Sequence, residues 1–337
     1  MVGDRTVAQL VAAARGGERR AAARLLTLVE QGGQPADEVA GATHQLVDNA
    51  HVVGVTGPPG AGKSTLTAAL TTLLADRGRR PAVLAVDPSS PLTGGAILGD
   101  RVRMVEATTA GVFIRSMATR GHAGGLALAV PGMVRVLDAA GFDPVVVETV
   151  GVGQVEVDVA TAADTVLVVV TPGMGDAVQA NKAGLLEVAD LFAVNKSDRP
   201  KAADARRDLE LMLDLSDLTG HRRAGSPGRP AIVSTVATTG GGVEELARAV
   251  DDHLEALVSS GSLAVRRQGR RSAEVRSRLD HLLLEASAAA VASASADGSA
   301  DREAPGTTAQ RLADHLLGGS DTQGESPGAP SCPGGRR

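Results

Sequence analysis

Short apolar runs alternate with longer amphipathic segments through the middle of the chain. The runs are rich in valine, and most are separated by helix-length segments whose apolar residues recur at helical spacing. Continuous β-branched runs of this kind are typical of a parallel sheet covered by helices on both faces. The pattern therefore predicts an α/β fold with a doubly wound, mostly parallel sheet. The predicted strands are 51–56, 82–86, 144–149, 165–170, 191–194 and 231–235, and the predicted helices between them are 63–78, 124–141, 176–188, 201–217 and 242–259.

Helical patterns flank the predicted sheet on both sides. We assign residues 1–50 to an N-terminal helical extension, 51–260 to the sheet domain and 261–318 to a C-terminal helical extension. Residues 319–337 are rich in glycine, proline and serine, a composition typical of a disordered tail. Residues 266–278 contain six arginines. This segment is either a solvated helix face or a surface that binds an acidic partner.

The composition excludes several classes of protein. Hydrophobic residues make up 43% of the 337 residues and charged residues 22%, as in folded domains. A single cysteine, Cys332, excludes an internal disulfide and a multi-cysteine zinc site. A net charge of −5 and the lack of tryptophan and tyrosine argue against nucleic-acid binding. No apolar run is long enough to cross a membrane and the first 20 residues carry charges, so we expect a cytoplasmic protein.

The segment after the first predicted strand matches the pattern G-x-x-x-x-G-K-[ST]. Its glycines let the backbone curl so that N–H groups point into the loop, and the following helix adds positive potential at its N-terminus. We expect Lys63 to reach the β- and γ-phosphates of a nucleoside triphosphate and Ser64 to bind Mg²⁺. The domain is therefore predicted to be a P-loop NTPase. The nucleotide-binding residues of this loop are Gly57, Pro58, Pro59, Gly60, Ala61, Gly62, Lys63, Ser64 and Thr65.

A second motif indicates which nucleotide is bound. The strand at 191–194 runs into Asn195, Lys196, Ser197 and Asp198, an N-K-x-D sequence. A carboxylate at its end can accept two hydrogen bonds from the N1–H and the exocyclic amine of guanine, and adenine offers no such pair of donors. This predicts bound GTP or GDP. The loop after the next strand is the expected second wall of the base pocket, through the backbone N–H groups of Ser234, Thr235, Val236 and Ala237.

Acidic residues at the ends of two other strands are candidates for the phosphate side of the site. Asp87 ends the strand beside the phosphate loop and Asp100 follows a few residues later; both are candidate Mg²⁺ ligands, with a solvated turn as the alternative. Glu148 lies three residues before Gly151, a spacing similar to the D-x-x-G switch of GTPases, in which the glycine N–H contacts the γ-phosphate. Gln154 is a candidate for positioning the attacking water.

Lysine is rare in this chain, and its distribution supports the motifs. Arginine outnumbers lysine thirty to four, so a lysine indicates a position where a compact ammonium on a flexible stem is needed. Lys63 and Lys196 lie in the two motifs above, and Lys182 lies in the segment PGMGDAVQANKAG, residues 172–184.

Several long stretches together resemble the MeaB/ArgK-type accessory GTPases, also called the MMAA type, which serve methylmalonyl-CoA mutase. They are GPPGAGKST, VDPSSPLTGGAILGDRVRM, FIRSMATRG, AAGFDPVVVETVGVGQVE, PGMGDAVQANKAGLLEVADLFAVNKSD and TVATTGGGVEEL, in order between residues 54 and 247.

The resemblance implies a G3E-type P-loop GTPase whose helical extensions form a homodimer, residues 261–318 being the dimerisation extension. It also implies a partner, an adenosylcobalamin-dependent acyl-CoA mutase, for which the GTPase gates cofactor loading and protects against inactivation. By the same analogy, residues 172–184 are a third switch in which Asp176 and Lys182 couple the nucleotide to the mutase. The implied Mg²⁺ site consists of Ser64, Asp87, Asp100 and Glu148, and the implied catalytic set of Lys63, Glu148, Gln154, Asp176 and Lys182.

Two other functions remain as alternatives. A P-loop phosphotransferase, the kinase once associated with ArgK-like sequences, needs a second substrate pocket with a base, and no segment indicates one. A nickel-delivery GTPase needs cysteine or histidine ligands near the switches, whereas His51, His122 and His221 are scattered and are expected on the solvated surface.

We expect slow intrinsic hydrolysis, because no arginine finger is evident. Arg115 and Arg120 lie in a segment predicted to be a flexible loop, where they could approach phosphate or form a structural salt bridge.

Overall fold

A computed structural model describes residues 5–47, 49–87, 110–118, 123–149, 162–173, 188–219, 225–296 and 304–318. Only the backbone is described at 87, 118, 123–128, 218–219 and 317. The helices are α1 (Val7–Arg15), α2 (Arg19–Gln31), α3 (Gly33–Thr43), α4 (Lys63–Asp76), α5 (Ala123–Ala139), α6 (Ala202–Thr219), α7 (Val243–Ser259), α8 (Ser262–Ala296) and α9 (Pro305–Leu317). The strands are β1 (Val52–Thr56), β2 (Ala82–Asp87), β3 (Phe113–Ala118), β4 (Val145–Thr149), β5 (Thr165–Val170), β6 (Leu191–Asn195) and β7 (Ala231–Thr235).

The strands form one parallel sheet in the order β3-β2-β4-β1-β5-β6-β7. The predicted α/β fold with a parallel sheet is confirmed, and each of the six predicted strands is present with small shifts at its ends. The predicted helix at 176–188 lies almost entirely outside the described residues. The predicted disordered tail, residues 319–337, lies wholly outside them. The chain divides into two compact units, Met1–Val275 and Arg276–Arg337.

The valine-rich strands are buried because each contributes side chains to both faces of the sheet. In β1, Val52 belongs to the core on the side of α1, α2, α3 and α5, whereas Val53 and Val55 belong to the core on the side of α4 and α7. Strand side chains alternate between faces, so a sheet with two covered faces needs an apolar residue at every position. No helix in the described part of the chain has the combined length and apolar character of a membrane span.

Strand β3 was not predicted from the sequence. It pairs with β2 at the edge of the sheet; Phe113 and Met117 are buried, whereas Ile114, Arg115 and Ser116 between them are half-buried. With two polar residues at its centre, the segment lacks the continuous apolar run of the other strands and resembles a loop in the sequence. The Arg115 guanidinium donates to Glu30 of α2 at 2.6 Å, so the structural salt bridge is the correct interpretation of Arg115. Arg120 lies outside the described residues.

The arginine-rich start of α8 is packed against the sheet, and both interpretations from the sequence were wrong for its inner residues. The side chains of Arg266, Arg267 and Arg270 are only 7–15% exposed. They form ion pairs with Asp164 and Asp190, which directly precede β5 and β6 and have fully buried side chains. These partners are 76 to 106 residues away in sequence, so helix periodicity could not identify them.

His51 is buried, contrary to the prediction of a surface position. Its imidazole Nε2 lies 2.7 Å from the Thr165 hydroxyl at the amino edge of the sheet. Burial lowers the pKa of His51 from 6.5 to about 4, although nearby Asp164 and Asp143 act in the opposite direction. His51 is therefore neutral in the folded protein at neutral pH. His122 and His221 lie outside the described residues.

This histidine should make the stability depend on pH. Between pH 6.5 and 4 the unfolded chain binds a proton at His51 and the folded protein does not, so acidification favours unfolding. We expect the wild-type free energy of unfolding to fall by about 3 kcal/mol more than that of His51→Gln between pH 7 and pH 4. Urea titrations at a series of pH values measure this difference. His44→Gln, at an exposed histidine, is the control, and parallel pH profiles for wild type and His51→Gln would contradict the assignment.

Candidate functional site

The carboxyl ends of four strands bring the predicted motifs to one edge of the sheet. The Gly57–Thr65 segment follows β1, Glu148 lies near the end of β4, Asn195 ends β6, and Ser234 and Thr235 end β7. Parallel strands end at the same edge, so segments far apart in sequence meet there.

The loop after β1 depends on glycine at particular positions. Gly57 has φ +136° and Gly62 has φ +87°, values that favour glycine. A Cβ on Gly57 would lie 2.1 Å from the Val169 carbonyl oxygen, and one on Gly62 would lie 2.5 Å from the Asn195 amide nitrogen. Both glycines therefore permit close packing as well as an unusual backbone conformation. Pro58 is half-buried, Pro59 and Gly60 are exposed, and Ala61 is buried.

Two polar side chains at the start of α4 point toward the loop and β4. Lys63 is 6% exposed, and its ammonium donates to the carbonyl oxygens of Gly57 at 2.7 Å and Pro58 at 3.2 Å. The Ser64 hydroxyl donates to the Glu148 carboxylate at 2.5 Å, and Glu148 is 2% exposed. Strand register explains the second contact, since Glu148 pairs with Val55 of β1, just before the loop. Thr65 is half-buried in the same turn.

The chemistry of this cluster suits a hard cation. A hydroxyl and a carboxylate supply oxygen atoms, which are the ligands that Mg²⁺ prefers. The backbone of Asp87 ends β2, next to β4, but its side chain and all of Asp100 lie outside the described part. Among the described residues, no three His, Cys, Asp or Glu side chains are grouped as a metal site.

Asn195 links the phosphate loop to the loop after β7. Its side chain is buried, its amide nitrogen donates to the Ala61 carbonyl at 2.9 Å, and its amide oxygen accepts from the Thr235 hydroxyl at 3.3 Å and the Ala237 N–H at 3.2 Å. Lys196, with φ 58°, extends its ammonium to the Gly60 carbonyl at 2.7 Å. The first two residues of the N-K-x-D motif therefore bind the phosphate loop.

The remaining base-site candidates surround this link. Asp198 is exposed, Ser234 and Val236 are half-buried, and Thr235 is buried. The Val236 N–H donates to the Gly241 carbonyl at 2.8 Å, so this amide closes the turn after β7, while the Thr235 carbonyl accepts from the Ser197 N–H at 3.0 Å. Of the other predicted residues, Gly151, Gln154, Asp176 and Lys182 lie outside the described part.

One contributor to this geometry was not identified from the sequence. Gly242 lets the start of α7 approach β7, since a Cβ there would lie 2.0 Å from the Ser234 carbonyl oxygen. The glycine run at 240–242 was the available signal for it. Ala237 belongs to the predicted second wall of the base pocket, and in the structure its N–H binds Asn195.

Comparison with known proteins identifies related sequences. A family model described as Methylmalonyl Co-A mutase-associated GTPase MeaB matches residues 22–292. A putative GTPase of Pyrococcus horikoshii is 49% identical over 269 residues, covering 80% of this chain and 84% of that protein. The GTPase ArgK of Escherichia coli is 39% identical over 279 residues, covering 80% of this chain and 82% of its own length.

A mammalian protein and a solved structure are also similar. A mouse protein named methylmalonic aciduria type A homolog, mitochondrial, is 38% identical over 218 residues, covering 64% of this chain and 52% of that protein. A crystal structure titled LAO/AO transport system kinase superposes with a TM-score of 0.67 at 28% identity, covering 94% of this chain and 99% of the other.

Proposed function

This chain belongs to the MeaB family of GTPases, and we propose that it binds and hydrolyses GTP where the Gly57–Thr65 loop meets Glu148 and Asn195. The observation that carries this proposal is the position of Lys63, a buried lysine at the start of a helix with its ammonium inside a glycine loop. A lysine in this position can move from carbonyl oxygens to phosphate oxygens, while the loop N–H groups and the helix N-terminus stabilise the remaining negative charge.

The proposed Mg²⁺ site consists of Ser64 and Glu148, with Asp87 and Asp100 as further ligands. The hydrogen bond between Ser64 and Glu148 supports it, because that contact already brings two oxygen ligands together. When bound, Mg²⁺ neutralises charge on the phosphates. The Ser64 hydroxyl and the Glu148 carboxylate would hold the ion at the start of α4, beside the loop proposed to bind the phosphates.

We assign base recognition to Asp198 and to Ser234, Thr235 and Val236, where β7 ends and the following turn begins. The exposed carboxylate of Asp198 follows Asn195 by three residues, and Asn195 contacts both the phosphate loop and this turn. Phosphate binding and base recognition are thereby connected by hydrogen bonds of one side chain. We assign the γ-phosphate contact to the Gly151 N–H and water positioning to Gln154.

The proposed biological role is that of an accessory GTPase for an adenosylcobalamin-dependent acyl-CoA mutase. The name of the matching family and the name of the mouse relative support this role. We propose that the nucleotide state gates cofactor loading and protects the mutase, with Asp176 and Lys182 coupling the two proteins.

We also propose a homodimer formed through the C-terminal helices. Leu279, Leu282 and Leu283 of α8 are 53%, 51% and 47% exposed and share one helix face, since they are spaced by three and four residues. A stripe of exposed leucines on a long helix is typical of a helix–helix interface.

Asp198→Asn should weaken GTP binding by about a hundredfold and strengthen binding of xanthosine triphosphate, because an amide donor replaces a carboxylate acceptor. Calorimetric titration with both nucleotides measures the change. Asp204→Asn, at another exposed aspartate, is the matched control and should bind both nucleotides as the wild type does. Unchanged GTP affinity in Asp198→Asn would remove the guanine assignment.

The mutase role predicts nucleotide-dependent association in the native cells. Tagged full-length protein should recover a cobalamin-dependent mutase, identified by mass spectrometry, in amounts that differ between GDP and a non-hydrolysable GTP analogue. Lys63→Ala, which should lose triphosphate binding, is expected to abolish that difference. Recovery of no such mutase in either nucleotide state would contradict the role.

The double variant Leu279→Asp, Leu282→Asp should sediment as a monomer, because the charges oppose burial of the leucine stripe. Analytical ultracentrifugation measures the mass, and circular dichroism checks that the helix content is kept. Leu215→Asp, at a 62% exposed leucine of α6, should remain a dimer. A monomeric wild type, or a dimeric double variant, would contradict the proposed interface.

A further inference from the structure

Two buried aspartates close the hydrogen-bond ladder at the amino edge of the sheet. The Asp190 N–H donates to the Val166 carbonyl at 2.9 Å, and its carboxylate accepts from the Val166 N–H at 2.9 Å. Asp164 makes the same two contacts with Val52: its N–H donates to the Val52 carbonyl at 2.8 Å, and its carboxylate accepts from the Val52 N–H at 3.0 Å. Each aspartate therefore holds both backbone groups of one residue on the neighbouring strand and determines where β6 and β5 begin relative to their neighbours.

Arginines of α8 hold these carboxylates. Arg266 binds both oxygens of Asp190, at 2.9 and 2.8 Å, and also the carbonyl oxygens of Asp164 at 2.6 Å and Gly225 at 3.3 Å. Arg270 binds Asp164 at 3.0 Å. A two-pronged guanidinium contact restricts the orientation of a carboxylate as well as its position. Arg266 is thus placed to fix the start of β6, and Arg270 the start of β5.

β6 is held at both ends. It spans only five residues, Leu191–Asn195, or about 16 Å of extended chain. Asp190 fixes its start, and Asn195 binds the phosphate loop and Thr235 at its end. The side chains of Leu191–Val194 are buried on both faces of the sheet. If β6 shifted by one residue against its neighbours, apolar side chains would replace apolar side chains on each face. The polar contacts at the two ends of β6 therefore determine its register.

We propose that Arg266 is a positioning residue for guanine recognition, acting through Asp190 and β6 on the orientation of Asp198. The inference rests on the proposed function, since it assumes that Asp198 binds the base. Arg266 lies at the edge of the sheet opposite to the nucleotide loops. Its hydrogen-bond partners among the described residues are Asp190, Asp164 and Gly225, which lie outside those loops. Arg270 provides the internal comparison, because its strand β5 leads to residues 171–173 rather than to the N-K-x-D motif.

The test compares Arg266→Met with Arg270→Met in the full-length protein. GDP and inosine diphosphate have the same phosphates, but inosine diphosphate lacks the exocyclic amine. The dissociation constant of inosine diphosphate divided by that of GDP is therefore a ratio that reports base recognition alone. We expect Arg266→Met to reduce this ratio by about tenfold, mainly by weakening GDP binding, and Arg270→Met to leave it at the wild-type value. Arg266→Lys, which keeps the charge but not the two-pronged geometry, should give an intermediate ratio. Thermal unfolding of each variant measures the loss of stability separately.

The outcomes separate this inference from the proposed function. A wild-type protein with no preference for GDP over inosine diphosphate would overturn the guanine assignment and the inference with it. A normal preference that persists in Arg266→Met, despite a lowered unfolding temperature, shows a merely structural role and overturns the inference alone. An equal loss of preference in Arg270→Met indicates general loosening and also overturns it. If Arg266→Met does not fold, Arg266→Lys decides, and an unchanged ratio there contradicts the positioning role.

Discussion

The carboxamide of Asn195 is the contact on which the arrangement of the nucleotide-binding edge depends. Its nitrogen binds the loop after β1, and its oxygen binds the turn after β7. A buried amide in this position must satisfy donors and acceptors on both sides, because an unpaired polar group in the interior is costly. The loop that surrounds Lys63 and the segment that carries Asp198 are therefore held at a fixed separation.

Gly62 makes that contact possible. A side chain there would collide with the Asn195 amide, and the left-handed backbone at this position also favours glycine. The glycine thus serves two purposes, the curl of the phosphate loop and the approach of a neighbouring strand. The hydrogen bond between Ser64 and Glu148 adds a second connection, from the start of α4 to β4.

The opposite edge of the sheet is organised by charge. Strands such as β5 and β6 are buried along their whole length, and burial alone does not distinguish one register from the next. Asp143, Asp164 and Asp190 each accept a backbone N–H at this edge, and Arg79, Arg266, Arg267 and Arg270 bind their carboxylates. The pairs of Asp164 and Asp190 are buried, whereas Asp143 is 46% exposed. Removing one partner of a buried pair costs several kcal/mol, about 3 to 5 in comparable cases. The paired network is better understood as specifying register than as adding net stability.

We could predict the fold class, six of the strands, the phosphate loop and the family from the sequence alone, because these features are local: apolar periodicity, glycines at fixed spacing and short motifs. The sequence did not reveal β3, whose apolar run is interrupted by Arg115 and Ser116, nor the burial of His51. The folded structure was needed to identify the partners of Asn195 and of the α8 arginines, and the pairing of Arg115 with Glu30. Those contacts join residues about 40 to more than 130 positions apart, and hydrogen bonding at that range depends on which strand ends the packed sheet brings together.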